Sequence, residues 1–220
     1  MNKIEKIILS FDLDNTLINN RKGIVNSFNY ALRKFNITEI AKEEIEKMIG
    51  IPLEEMFAQV TQVNPSLLAS AFRKFYGNKG IYQSKLLPGV KNRLNELKKK
   101  DFILGVITSK KQEMAEMIVK YLEINHNFDY ILGETEERKT LGKLDPKLKE
   151  ILVEKYPDHK IIVIGDHPKD VMLSNNLDCP FIGILTGYHS EDQLKQIKKN
   201  RILILDSFKA LTIDKILSLI

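Results

Sequence analysis

The sequence predicts an α/β fold, a doubly wound parallel sheet with a small helical unit inserted after its first strand. Three observations carry this. From residue 88 to the end, apolar runs of strand length alternate with amphipathic helical patterns, the order of a parallel sheet with crossover helices. Those runs are continuous rather than alternating, as strands buried on both faces are. Between residues 19 and 86 the strand pattern disappears and only helical spacing remains. A chain of 220 residues, 43% of them hydrophobic, has room for one large domain carrying a smaller one. The expected division is residues 1–18 and 87–220 as an α/β core, with 19–86 as the insertion.

Residues 6–12 form the first strand, the run Ile7-Ile8-Leu9-Ser10-Phe11 ending at Asp12. In the insertion, Ile24, Phe28, Ala31, Leu32 and Phe35 keep helical spacing. So do Leu53, Met56, Phe57 and Val60, and then Leu67, Leu68, Ala71, Phe72 and Phe75. Gly50-Ile51-Pro52 and Asn64-Pro65-Ser66 punctuate these helices, and Leu87-Pro88-Gly89 closes the unit, with Pro88 placed to begin the next helix. Val90, Leu94 and Leu97 then mark a helix, 102–107 a strand, and Met114, Met117, Ile118, Tyr121 and Leu122 another helix. Strands are expected at 130–132, 160–165, 180–185 and 202–205. Helices are expected at 146–156 and 168–176, with an amphipathic one before the last strand and one closing the chain.

Composition excludes several classes. One cysteine, Cys179, rules out an intramolecular disulfide and points to a reducing compartment, the cytoplasm by default. The N-terminus is too soon charged for a signal peptide, and no apolar run approaches a membrane span. The net charge is +5, 34 basic against 29 acidic residues. Ten basic and six acidic residues lie between Asn19 and Leu87, so the surplus sits largely in the insertion. It lacks the arginine stripe and interleaved aromatics of a nucleic-acid surface, and suits a mild funnel for a small anion.

The chemistry gathers where the strands end, the ligand-binding edge of an open α/β sheet. Asp12 and Asp14 are one residue apart at the end of the first strand, so they emerge on the same side. Two carboxylates that close repel unless a cation sits between them or one is protonated; a solvated turn is the plain alternative. The strand at 102–107 ends in Thr108-Ser109-Lys110, offering two hydroxyls and helix N-terminal amides to an anion, or a simple helix cap. The strand at 160–165 ends in Gly165-Asp166-His167-Pro168-Lys169-Asp170, a second acidic pair at the same edge. Hard oxygen ligands there suit Mg²⁺. Lys143 and Lys139, in the loop before the helix at 146–156, are the lysines available to neutralise a phosphate.

Together these four motifs, in order, resemble the haloacid dehalogenase-like superfamily, whose Rossmann-like core the predicted sheet matches. Phe11-Asp12-Leu13-Asp14-Asn15-Thr16-Leu17 resembles its first motif, Thr108 its second, Lys143 its third, and Gly165-Asp166 with Asp170 its fourth. The resemblance spans nearly the whole chain, because the insertion is similar to the helical cap of the phosphoglycolate-phosphatase-like subgroup. It implies a phosphatase of a small phosphomonoester, such as phosphoglycolate, a sugar phosphate or a nucleotide. Asp12 is then the nucleophile that forms an aspartyl-phosphate, and Asp14 the general acid and base. Mg²⁺ is held by Asp12, the backbone carbonyl of Asp14 and Asp166, with Asp170 in support, while Thr108, Ser109 and Lys143 bind the phosphate. Asn15 stands where many members have glycine, and Lys143-Leu144-Asp145-Pro146 where many have Lys-Pro-x-Pro. Asp14 argues against a true dehalogenase, because displacing halide protonates no alkoxide. A phosphomutase is the alternative enzyme, and a non-catalytic module the alternative class. Arg21, Lys22, Arg73 and Lys74 are the insertion's candidates for substrate selection, and the oligomeric state is left open.

Overall fold

The computed structural model describes residues 6–136, 142–198 and 200–220. Its chain divides into two compact units, Met1–Ile18 together with Leu86–Ile220, and Asn19–Lys85. The strands in chain order are β1 (Ile7–Phe11), β2 (Ile18–Asn19), β3 (Lys85–Leu86), β4 (Ile103–Lys111), β5 (Tyr130–Glu134), β6 (Lys160–Gly165), β7 (Phe181–Ile184) and β8 (Ile202–Leu205). The short β2 and β3, where the chain passes from one unit to the other, pair with each other.

The other six strands form one sheet of order β5-β4-β1-β6-β7-β8, every neighbouring pair parallel. From β1 in the middle, the chain builds outward through β4 and β5, then returns to the other side of β1 for β6, β7 and β8. This reversal beside β1 is a topological switch point, and the crevice lies beyond the C-terminal ends of β1, β4 and β6. Strand β1 is buried along its whole length, as a central strand covered on both faces is.

Among the described residues, six helices accompany this sheet: α5 (Val90–Lys98), α6 (Gln112–Tyr121), α7 (Lys147–Lys155), α8 (Pro168–Asn176), α9 (Glu191–Ile197) and α10 (Ile213–Leu217). On one face Ile8, Val163 and Phe181 join Leu148 and Leu152 of α7, Val171 and Leu173 of α8, and Leu194 of α9 in a single buried cluster, with Cys179 among them. Burial pushes the Cys179 thiol up to about 12, so it is an inert apolar group. Alternate residues of β1 face the other way, and Phe11 meets Phe208 with ring centroids 5.8 Å apart.

The helix starts follow local chemistry. Pro168 takes the first turn of α8, and Ser190 and Gln193 close a reciprocal capping box on α9. Helix α5 begins at Val90 rather than at Pro88, because Gly89 takes a left-handed φ of 91° immediately before it. The second unit holds α1 (Arg21–Lys34), α2 (Lys42–Met48), α3 (Leu53–Ala58) and α4 (Pro65–Phe75), followed by a π-turn at Tyr76–Gly80. Phe28 stacks on Phe57, and Tyr30 on Phe75, each at 4.2 Å between centroids. The buried residues of α4 are Leu68, Ala69, Ala71 and Phe72. Leu67, expected among them, is 53% exposed.

One close approach fixes the sheet beneath the crevice. The Tyr130 ring lies over Gly105 of β4, and its hydroxyl is 2.5 Å from Ser10 Oγ in β1. A Cβ on Gly105 would sit 1.9 Å from the ring. Gly105→Ala is therefore expected to cost about 1–3 kcal/mol by overpacking, read as a lower urea midpoint at unchanged slope. A loss within about 0.5 kcal/mol, the usual range of a surface change, would show that the ring moves aside freely.

Candidate active site

The site forms where three strands end beside one another. Asp12 follows β1, and its backbone N–H donates to the Ile164 carbonyl of β6 at 2.8 Å, which ties the end of β1 to its neighbour. Past Asp12 the chain turns sharply. Asn15 adopts φ 57°, the left-handed conformation that asparagine tolerates better than most residues, and its N–H donates to Ile18 O at 2.8 Å. Thr16, fully buried, donates its hydroxyl to Asp166 Oδ1 at 2.9 Å. The first motif thus holds a carboxylate of the last.

At the end of β6, Asp166 and Asp170 are both buried. Asp170 is the third residue of α8, where its Oδ2 accepts from the His167 N–H at 3.0 Å while His167 Nδ1 accepts from Lys169 N–H. His167 is thus the N-cap of α8. Burial, chiefly, pushes the imidazole down to about 4. Gly165 makes room for the arrangement, since a Cβ there would lie 2.3 Å from the Asp170 carboxyl carbon.

Lys143 reaches the same point from a short 3₁₀ turn, Gly142–Leu144. Gly142 takes φ 53°, a left-handed position, and the Asp145 side chain accepts from the Lys147 N–H at the start of α7. This geometry carries Lys143 inward until its side chain is 4% exposed. Its Nζ is 2.5 Å from Asp12 Oδ1 and 2.6 Å from Asp170 Oδ1. Lys139 lies outside the described residues.

Asp12, Asp166 and Asp170 each offer a carboxylate oxygen within 4.8 Å of the others. Three carboxylates face one ammonium, so the fully ionised cluster carries two negative charges in excess. Burial, reinforced by the neighbouring carboxylates, pushes Asp12 and Asp166 well above the usual carboxylate range despite the lysine. Burial opposes the charge on Lys143 too, but Asp12 and Asp170 outweigh it and raise the ammonium above an ordinary lysine. A cluster of hard oxygen donors short of positive charge fits a small divalent cation.

The Thr108 segment differs from expectation. Strand β4 runs on to Lys111 and α6 starts only at Gln112, so residues 108–110 are not a helix N-terminus. The β4–β5 register shifts between Ile107 and Lys111, leaving Thr108, Ser109 and Lys110 as a bulge. The Gln112 side chain pins the far end, accepting from Gly133 N–H at 2.6 Å and donating to Ile131 O at 2.9 Å. Thr108 is buried, with its hydroxyl accepting from Lys110 N–H, and Ser109 is exposed. Lys110 Nζ lies 3.1 Å from Asp14 Oδ2. Asp14 thus has a cationic partner that the sequence reading did not single out. The charge of Lys110 in a segment already marked as anion-binding was the available signal. Thr16, inside the first motif, was likewise passed over.

In the helical unit Lys22 and Lys74 are exposed, Arg21 is half-buried, and Arg73 pairs with Glu54 at 2.7 Å. None of the described helices is long and apolar enough to cross a membrane.

Comparison with known proteins gives a consistent answer. The family described as haloacid dehalogenase-like hydrolase matches residues 8–184. A phosphoglycolate phosphatase of Mannheimia succiniciproducens is 29% identical over 199 residues, covering 83% of this chain and 87% of its own. The pyrophosphatase PpaX of Bacillus cereus is 24% identical over 166 residues, covering 76% and 77%. Among solved structures, a haloacid dehalogenase-like family hydrolase from Streptococcus pneumoniae superposes with TM-score 0.77 at 26% identity, covering 91% of this chain and 93% of that one. Phosphatases of this family generally use a divalent metal, and Asp12, Asp166 and Asp170 could hold one. The chain belongs to the haloacid dehalogenase-like hydrolase family and is one of its phosphatases.

Proposed function

We propose that the protein is a Mg²⁺-dependent phosphatase of a small phosphorylated metabolite, working through an aspartyl-phosphate on Asp12. The observation that carries this is the buried Asp12 carboxylate, pinned by Lys143 at the switch point of the sheet with Asp14 two residues away. An Asp12 oxygen attacks phosphorus as the bond to the leaving alcohol breaks, and Asp14 gives the departing oxygen its proton. Asp14 then takes a proton from water, whose oxygen attacks the acyl phosphate, frees inorganic phosphate and restores Asp12. Lys143 and the Thr108 and Ser109 hydroxyls hold the phosphoryl oxygens, where charge must be stabilised.

Asp12, Asp166 and the backbone carbonyl of Asp14 would hold Mg²⁺, with Asp170 in support. The bound cation supplies the positive charge that lets an anionic carboxylate approach an anionic phosphate. Hard carboxylate and carbonyl oxygens favour Mg²⁺ over softer metals.

Residues 19–86 serve as the cap that selects the substrate, with Arg21, Lys22, Arg73 and Lys74 as the candidates for that selection. The names of the relatives support phosphoglycolate as the first substrate to try and pyrophosphate as the second. The single cysteine supports a cytoplasmic setting.

Two outcomes are expected. With Mg²⁺ the protein hydrolyses p-nitrophenyl phosphate, chelation abolishes turnover, and Asp12→Asn lowers kcat at least about 1000-fold in a protein that melts normally. A panel with phosphoglycolate, pyrophosphate, hexose phosphates and nucleotides then ranks substrates by kcat/KM; no turnover of any of them would sink the reading. Asp14→Asn is expected to lose about 100- to 10,000-fold on alkyl phosphates. On p-nitrophenyl phosphate, whose leaving group needs no proton, it should instead release a burst of nitrophenol and then stall. A steady rate without a burst, equal to the parent's, would remove Asp14 from both steps.

A further inference from the structure

The loop after β7, residues 185–189, belongs to none of the four motifs, yet it touches two of them. The Thr186 hydroxyl donates to the backbone carbonyl of Asn15, the left-handed residue at the turn of the first motif. Gly187 lies against the acid of the fourth. A Cβ at Gly187 would sit 1.9 Å from Asp166 Oδ2, 2.8 Å from its carboxyl carbon and 3.1 Å from its Cβ. His189 packs edge-on against His167, with centroids 4.5 Å apart. Loop 185–189 therefore runs along the back of the Asp12–Thr16 turn and of the Asp166–Asp170 segment together.

The consequence for Asp166 follows from how little freedom it has. Its Oδ1 is held by the Thr16 hydroxyl at 2.9 Å, its residue is 4% exposed, and only two torsions set its carboxylate. A side chain at Gly187 cannot be accommodated by the backbone of the loop, which Thr186 fastens to Asn15. What gives way is the carboxylate itself. We propose that Thr186 and Gly187 are positioning residues for a divalent cation, Gly187 by leaving the volume that Asp166 Oδ2 occupies and Thr186 by locking the turn that carries Asp12 and Asp14. Neither residue touches the reacting atoms; they act through ligands, as partners behind metal-binding carboxylates do. This rests on the proposed metal site.

The test reads metal binding directly. Calorimetric titration of the full-length, metal-free protein with Mg²⁺ or Mn²⁺, without substrate, is run on the parent, Asp166→Asn, Gly187→Ala, Thr186→Val and Thr186→Ser. Gly187→Ala is expected to weaken binding about 10- to 100-fold while keeping a cooperative melt. Thr186→Val is expected to weaken it less, and Thr186→Ser, which restores the hydroxyl, to recover parental affinity. Should Gly187→Ala not fold, the Val and Ser pair at position 186 carries the test. Binding lost in Asp166→Asn but unchanged in both Gly187→Ala and Thr186→Val overturns this proposal alone. Equal weakening by Thr186→Val and Thr186→Ser overturns the role of the hydroxyl. A parent that binds no divalent cation overturns the metal site and this proposal with it.

Discussion

The structure of the site depends on one buried ammonium. Lys143 stands between Asp12 and Asp170, and without it three buried carboxylates would face one another. Removing one partner of a buried ion pair is costly because it leaves the other charge uncompensated. The surrounding backbone is arranged to put this lysine where it is: Gly142 supplies the left-handed turn, Asp145 caps the helix that follows, and the N-cap of α8 orients Asp170. One ammonium does not balance three carboxylates. Burial, reinforced by the neighbouring carboxylates, raises the proton affinity of Asp12 and Asp166, and a divalent cation would offset both. The chemistry proposed for Asp12 and the electrostatics of the three-acid cluster point to the same requirement.

The sheet explains how residues so far apart in sequence come to share that crevice. Asp12 and Asp166 follow β1 and β6, and Thr108 lies in the last part of β4; these strands are neighbours in the sheet, separated in the chain by a helical unit and by crossover segments. Parallel pairing in register brings Phe11 level with Val106 on one side and Ile164 on the other. Asp12, Thr108 and Asp166 therefore come within about a residue of one height, although β4 itself runs on to Lys111. Beneath them the Ser10–Tyr130 contact across Gly105 stiffens the strand that carries Asp12.

Most of the sheet was legible because buried parallel strands are written as uninterrupted apolar runs. The expected strand at 160–165 and helix at 168–176 coincide with β6 and α8, and proline and aspartate at a helix start are signals with a local cause. The site acids were legible because paired carboxylates at a strand end are hard to explain otherwise. What escaped was set by tertiary contact. The bulge at Thr108, Ser109 and Lys110 reads locally as a helix start, but its end is decided by the Gln112 amide reaching β5. Helix α2 is mostly polar, with Ile45 its one buried residue, and so left no periodic stripe to read. Leu67 fits the apolar pattern of α4 and still faces solvent, because periodicity gives a face and not its limits. The ion pair of Lys110 with Asp14 joins the bulge of β4 to the turn after β1, and no spacing rule encodes it.

The claim at the centre of this account is that Asp12 becomes covalently phosphorylated. It is tested most directly by quenching the enzyme during turnover, reducing it with borohydride, which converts an acyl phosphate to an alcohol, and locating the modified residue by peptide mass spectrometry. The account predicts homoserine at position 12, formed only when substrate and Mg²⁺ are both present and enriched in Asp14→Asn. Turnover with an unmodified Asp12, or with the label on another residue, would contradict it.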